Sequence, residues 1–314
     1  MLTKVLFVIL IIGFCENSSS YKSPAEFHLP FMFAISAQDI PPGYENPSVV
    51  GVASIHTSAA LAVDMLNNRT CDFPDILPNT KLVLDSYSNY FSTQIIIPQM
   101  MSLADQNITF TTGFFSSTTA IPAAVVGSVF DVAMLSFFVA NAELSDKKKY
   151  PYFSRTAIST DDQIASLHSS LHYFEEINGA GWTDVAIVSE VTTYTIEYAT
   201  LFIENDPTIE ILTYQTVLFP NQINQTIDYS VALNEIKQSG ARVILCLFFT
   251  ESYSEFLEQA NDTGLIGEHY VWIIPSITTE FTFSKPLPLA RGTLVALPYA
   301  PNETLFRKCF NEAW

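Results

Sequence analysis

TTGFFSSTTAIPAAVVGSVFDVAMLSFFVANAELSDKKKYPYFSRT, residues 111–156, is the stretch that decides the fold. A β-prone run over 107–112 meets Gly113. The hydroxyl-rich Ser116-Ser117-Thr118-Thr119 follows, then an apolar helical pattern as far as Val129. A second buried-looking run covers 132–138. Strand, polar turn, helix, strand make one βαβ unit. The polar turn lies where a strand's carboxyl end meets a helix N-terminus, and open α/β sheets bind ligands in that place. Hydroxyls and free N–H groups there suit an anion such as a carboxylate. The same spacing also fits Ser116 or Ser117 as a plain helix cap.

The alternation extends in both directions. Upstream, strands are expected over 28–36 and 81–85, and helices over 49–67 and 91–104. A Pro/Gly-rich loop covers 38–47, and a loop with two prolines covers 71–79. Downstream, strands are expected over 152–158, 184–189, 209–219, 241–249, 270–274 and 293–297. Helices are expected between them over 161–177, 193–204, 227–239 and 254–263. The run Val243-Ile244-Leu245-Cys246-Leu247-Phe248 is near-continuously apolar, as a parallel strand covered on both faces must be. The β/α pattern occurs twice, with a boundary near 150–158. This divides the chain into residues 21–150 and 151–314.

The chain is 48% hydrophobic and only 15% charged, so it has the material for a sizeable core. Its net charge of −18 speaks against a nucleic-acid or anionic-membrane surface and would draw in a cationic ligand. Residues 1–20 read as a signal peptide: Lys4, then an apolar run over 5–14, then a small polar exit. No later stretch reaches the ~18 apolar residues of a membrane-spanning helix. Asn68, Asn107, Asn224, Asn261 and Asn302 each open an Asn-x-Ser/Thr sequon. Asn107 is expected at the start of a partly buried strand, which makes it the weakest acceptor. Of four cysteines, Cys15 lies in the signal and Cys246 in an apolar strand; Cys71 and Cys309 are loop-like and free to bridge. No spacing resembles a metal site. His168 and His172, four apart on a helix, are expected on its solvated face.

The run Leu135-Ser136, then Ala142-Glu143-Leu144-Ser145-Asp146-Lys147, then Tyr150-Pro151-Tyr152-Phe153-Ser154-Arg155-Thr156 resembles the receptor-family ligand-binding region. Asp162-Gln163 and Gly181-Trp182-Thr183-Asp184-Val185-Ala186-Ile187-Val188 fit the same family. This is the periplasmic-binding-protein type I fold of class C G-protein-coupled receptors, receptor guanylate cyclases and ionotropic-receptor amino-terminal domains. The resemblance implies an α/β protein of two doubly wound parallel-sheet lobes, a Venus flytrap, closing on a ligand. The family's chain returns to the first lobe after the second, so a second lobe incomplete at the C-terminus is expected here.

In amino-acid-binding members the hydroxyl turn holds the ligand's α-carboxylate. The resemblance places Ser117 at that hydroxyl, flanked by Ser116 and Thr118. The family's second hydroxyl cluster is replaced here by Phe138 and Ala140, which argues against an α-amino-acid ligand. Thr160 falls at the place of the amine-side acid, with Asp161 beside it as a ligand contact or a helix cap. Tyr194 falls at the ring that packs on the ligand amine; otherwise it is a surface tyrosine at a helix start. Arg155 reads as a structural residue of the crossover.

The expected function is an extracellular sensor domain of a cell-surface receptor, binding a small molecule and forming a homodimer through lobe 1. Membrane attachment is expected through a segment beyond Trp314. The alternatives are a secreted binding protein without a signalling module and, more remotely, a secreted α/β hydrolase. No GxSxG elbow, Walker loop, GxGxxG after a strand or CxxC is present, so neither catalysis nor a cofactor is implied.

Overall fold

A computed structural model of the chain describes residues 24–33, 47–70, 79–179, 181–218, 227–248, 252–275, 288–290 and 292–296. The protein is α/β, built as two parallel-sheet lobes that divide between Ala157 and Ile158. The first contains β1 (Glu26–Phe33), α1 (Pro47–Asn67), β2 (Lys81–Ser88), α2 (Thr93–Asp105), β3 (Phe110–Phe114) and α3 (Ser117–Val129). It continues through β4 (Ala133–Ser136), a 3-10 turn (Ala142–Ser145) and β5 (Phe153–Arg155). The second contains α4 (Thr160–Asn178), β6 (Asp184–Glu190), α5 (Thr193–Asn205), β7 (Glu210–Val217), α6 (Ser230–Ser239) and β8 (Val243–Leu247). It ends, among the described residues, in α7 (Ser252–Asp262), β9 (Val271–Pro275), a 3-10 turn (Pro288–Ala290) and β10 (Leu294–Ala296).

The first sheet runs β2-β1-β3-β4-β5 and the second β10-β9-β8-β6-β7, with every described pairing parallel. Numbered within each lobe, both sheets read second, first, third, fourth, fifth. One doubly wound topology is therefore used twice. In each lobe the strand order reverses beside the first strand, between β1 and β3 and between β6 and β8. The carboxyl ends of strands at such a reversal are where this architecture holds ligands.

Local sequence explains the packing. In α4 the buried residues are Ile164, Leu167, His168 and Leu171, one face at helical spacing. Each of the three aliphatic side chains contributes about 1.5–3 kcal/mol by leaving water. In α3 the covered face is Ala120, Ala123, Ala124 and Gly127, so this helix lies close to its sheet. A methyl group at Gly127 would sit 2.8 Å from the Val132 carbonyl oxygen. In β8 all five residues are buried, which follows from cover on both faces of a parallel sheet.

Several elements differ from expectation. β3 begins at Phe110 and carries on through Gly113 to Phe114, because a bulge between Thr112 and Phe114 absorbs the glycine. Asn107 is not in a partly buried strand: it lies exposed in the turn after α2, at φ 56, a conformation asparagine tolerates. β2 extends to Ser88, three residues further than its apolar pattern suggests. The cap of α4 is Ser159, whose Oγ accepts from the Asp162 N–H at 3.2 Å; Asp161 is exposed inside the first turn.

Candidate functional site

In the first lobe the carboxyl edge is built by four strand ends. β3 closes on Phe114, and Ser116 caps α3, its Oγ accepting from the Thr118 N–H at 3.3 Å. The Thr119 and Ala120 N–H groups donate to the Ser116 carbonyl at 3.2 and 2.9 Å. Ser117, the first helical residue, is buried, and its hydroxyl has no hydrogen-bond partner among the described residues. Thr118 is exposed. The hydroxyl turn thus spends Ser116 on capping the helix.

Ser136, fully buried at the end of β4, fixes the next loop. Its hydroxyl donates to the Phe114 carbonyl at 2.9 Å and accepts from the Val139 N–H at 2.9 Å and the Phe138 N–H at 3.3 Å. That three-way anchor ties the 137–139 turn to the end of β3, where five rings meet. Phe115 stacks on Phe138 with centroids 4.5 Å apart and planes 8° from parallel. Phe137 lies 6.4 Å from Phe115 and, nearly parallel, 6.5 Å from Phe31 on β1. Phe91 meets Phe115 edge-on at 6.1 Å, held by its own N–H donating to the buried Asn89 side chain at 3.0 Å. Ala140 is buried beside this turn.

The second lobe places Tyr194 inside the fold, not on its surface. Tyr194 is buried, edge-on to Tyr198 at 5.8 Å, with its hydroxyl donating to the Gln163 side-chain oxygen at 3.4 Å. Burial above all, with Tyr198 and Glu197 adding, pushes its phenol well above its ordinary range. Thr160 is fully buried one turn before Gln163. Thr192 and Thr195 form a reciprocal capping box that sets the start of α5, and the Thr195 hydroxyl also donates to the Glu190 carbonyl. Glu190 itself is a fully buried carboxylate at the carboxyl end of β6, beside the strand reversal. The sequence carried its signal, an acid closing the apolar run Val185-Ala186-Ile187-Val188, although the expected strand stopped at Ser189. The ring doublets 114–115 and 137–138 carried the signal for the aromatic edge, of which only Phe138 was expected at the site.

Other expected residues fall as follows. Arg155 donates to the Asn141 carbonyl at 2.6 Å and to the Ser145 hydroxyl, bracing the crossover turn. Asn68 and Asn261 are exposed like Asn107. Asn224, Asn302, Cys71 and Cys309 lie outside the described residues. Cys246 is buried and unbridged, and burial pushes its thiol up. Among the described residues, no helix is long and apolar enough to cross a membrane.

His168 corrects the expectation of a solvated face. It is buried, its ring 4.6 Å from Phe202 and its Nε2 3.0 Å from the Phe202 carbonyl. Burial is the largest influence on it and lowers its pKa below 6.5, against the pull of Asp206. A histidine that binds protons less readily when folded loses stability as pH falls through 6.5. Asp206 acts lower down: bonds from Thr208 and His172 hold it at about 2, so its contribution is complete above 3.8 and fades as pH falls toward 2. The expected result is a lower urea midpoint at pH 5.5 than at pH 7.5. His168→Gln should flatten that difference, and an unchanged slope in the variant would count against this assignment.

The comparisons with known proteins agree with this architecture. The pattern of the receptor family ligand binding region matches residues 55–314. The receptor-type guanylate cyclase gcy-8 of Caenorhabditis elegans is 26% identical over 175 residues, 54% of this chain and 14% of that protein. Glutamate receptor 3.1 of Oryza sativa subsp. japonica is 24% identical over 237 residues, 75% of this chain and 24% of that protein. The match therefore spans less than a quarter of each relative's length. An ABC transporter substrate-binding protein from Desulfitobacterium hafniense superposes with a TM-score of 0.63 at 18% identity, over 92% of this chain and 77% of that one. That likeness shows the fold, and the family match shows the kinship. This chain belongs to the receptor family ligand binding region.

Proposed function

We propose that the protein is the extracellular sensor domain of a cell-surface receptor, entering the secretory pathway and binding a small molecule between its lobes. The observation that carries this reading is the repeated topology. Each lobe places polar and aromatic groups at a strand-order reversal: Phe115 to Thr118 and Phe137-Phe138 in one, Glu190 to Tyr194 in the other. Ligand contacts with both edges would favour a closed state over an open one, and that difference in affinity is the signal. The domain binds and does not catalyse. Homodimerisation is proposed through lobe 1, whose α2 and α3 expose Met101, Val125 and Val129.

The test is hydrogen exchange with a panel of amino acids and amines. A ligand that closes the lobes protects residues 115–118 and 190–194 together. Protection confined to one lobe would rule out closure as the mechanism.

A further inference from the structure

We propose that the first lobe's edge recognises a planar aromatic group, so that the ligand is an aromatic small molecule lacking a free carboxylate. This rests on the reading of that edge as a ligand face. Three observations point the same way. The Ser116 hydroxyl, Thr119 N–H and Ala120 N–H groups are already engaged within α3, so little of an anion cradle remains beyond Ser117. No lysine or arginine lies in the described edge turns 89–92, 115–116 and 137–141. Arg155, at the end of β5, is held by Asn141 and Ser145. A carboxylate brought to this edge would lose water, and the guanidinium of Arg155 is already donating to the Asn141 carbonyl and the Ser145 hydroxyl.

The rings supply the opposite chemistry. Phe115, Phe137 and Phe138 are half-buried, and Phe91 keeps 40% of its surface exposed. Phe115 and Phe138 form a parallel stack, and Phe91 stands edge-on to it. A third flat ring extends such a stack or meets its edge, both being favoured aromatic geometries. Ser136 holds the Phe137-Phe138 turn by three hydrogen bonds, so the rings keep their places before any ligand arrives. The chain's net charge of −18 adds a preference for a neutral or cationic molecule over an anionic one.

The test compares phenethylamine with phenylalanine, which share a ring and differ by the α-carboxylate. Isothermal titration of the secreted chain should show phenethylamine binding the tighter of the two. Phe138→Ser should weaken phenethylamine about tenfold or more, while Phe138→Leu, which keeps apolar volume without the stack, should give a smaller loss. Phenylalanine binding more tightly, or an affinity indifferent to Phe138→Ser, overturns the inference and leaves the interlobe reading standing. If neither these two compounds nor any of the amino acids and amines in the exchange panel binds, both fall together.

Discussion

Replacing Gly113 by alanine is expected to destabilise the first lobe by about 2–4 kcal/mol, a sum of backbone strain and overpacking. Gly113 sits at φ 93, where a side chain is strained. An added methyl would lie 2.9 Å from two atoms of the Phe31 ring and 3.0 Å from the Met32 nitrogen. The ring has nowhere easy to go. Phe31 is buried and packs on Phe33 at 5.5 Å and on Phe137 at 6.5 Å. The strain therefore passes directly into the aromatic edge. Gly179 provides the internal control, since it has nearly the same φ of 89 and nothing within 4 Å of an added methyl. Gly179→Ala should cost only the backbone part, about 1–2 kcal/mol. Urea unfolding of the two variants separates the contributions, and equal losses would show that Phe31 yields without cost.

What the sequence made legible follows from which forces act locally. The two-fold βα rhythm was readable because buried parallel strands such as Val243–Leu247 need continuous apolar residues, and that demand is written into one short run. The start of α3 was readable because a serine cap leaves a local signature. The strand order was not, because which strands become neighbours is decided by long crossover connections and not by any local pattern. The anchoring role of Ser136 was hidden for the same reason: Phe114, whose carbonyl it binds, is 22 residues away. The burial of Tyr194 and of His168 was not legible because α4 and α5 pack on each other, through Gln163 and Phe202, and neither helix's own pattern contains that contact. Ser159 in place of Asp161 as the cap is a shift of two residues, decided by which backbone turns helical first.

Replacing Phe256 by alanine should have a comparable or larger effect, about 3–5 kcal/mol, but in the other lobe. Phe256 is fully buried on α7, where its ring meets Tyr229 at 5.2 Å, Phe248 at 4.7 Å and Trp272 at 5.7 Å. Three aromatic neighbours cannot collapse into the space of a lost ring without leaving their own partners, so most of the cavity persists. Phe256→Leu, which keeps much of the volume, should recover more than half of the loss. The lobe containing Phe256 has its own core, distinct from the one around Met32, Met100 and Phe114. Segment-resolved hydrogen exchange should then show β6 and β8 losing protection while β1 and β3 retain theirs, with Gly113→Ala giving the reverse. Equal loss in both sheets would mean that the two lobes unfold as one unit. In that case a ligand's stabilisation of one lobe would be felt fully by the other. If the losses separate, each lobe supplies its own stability through its own core.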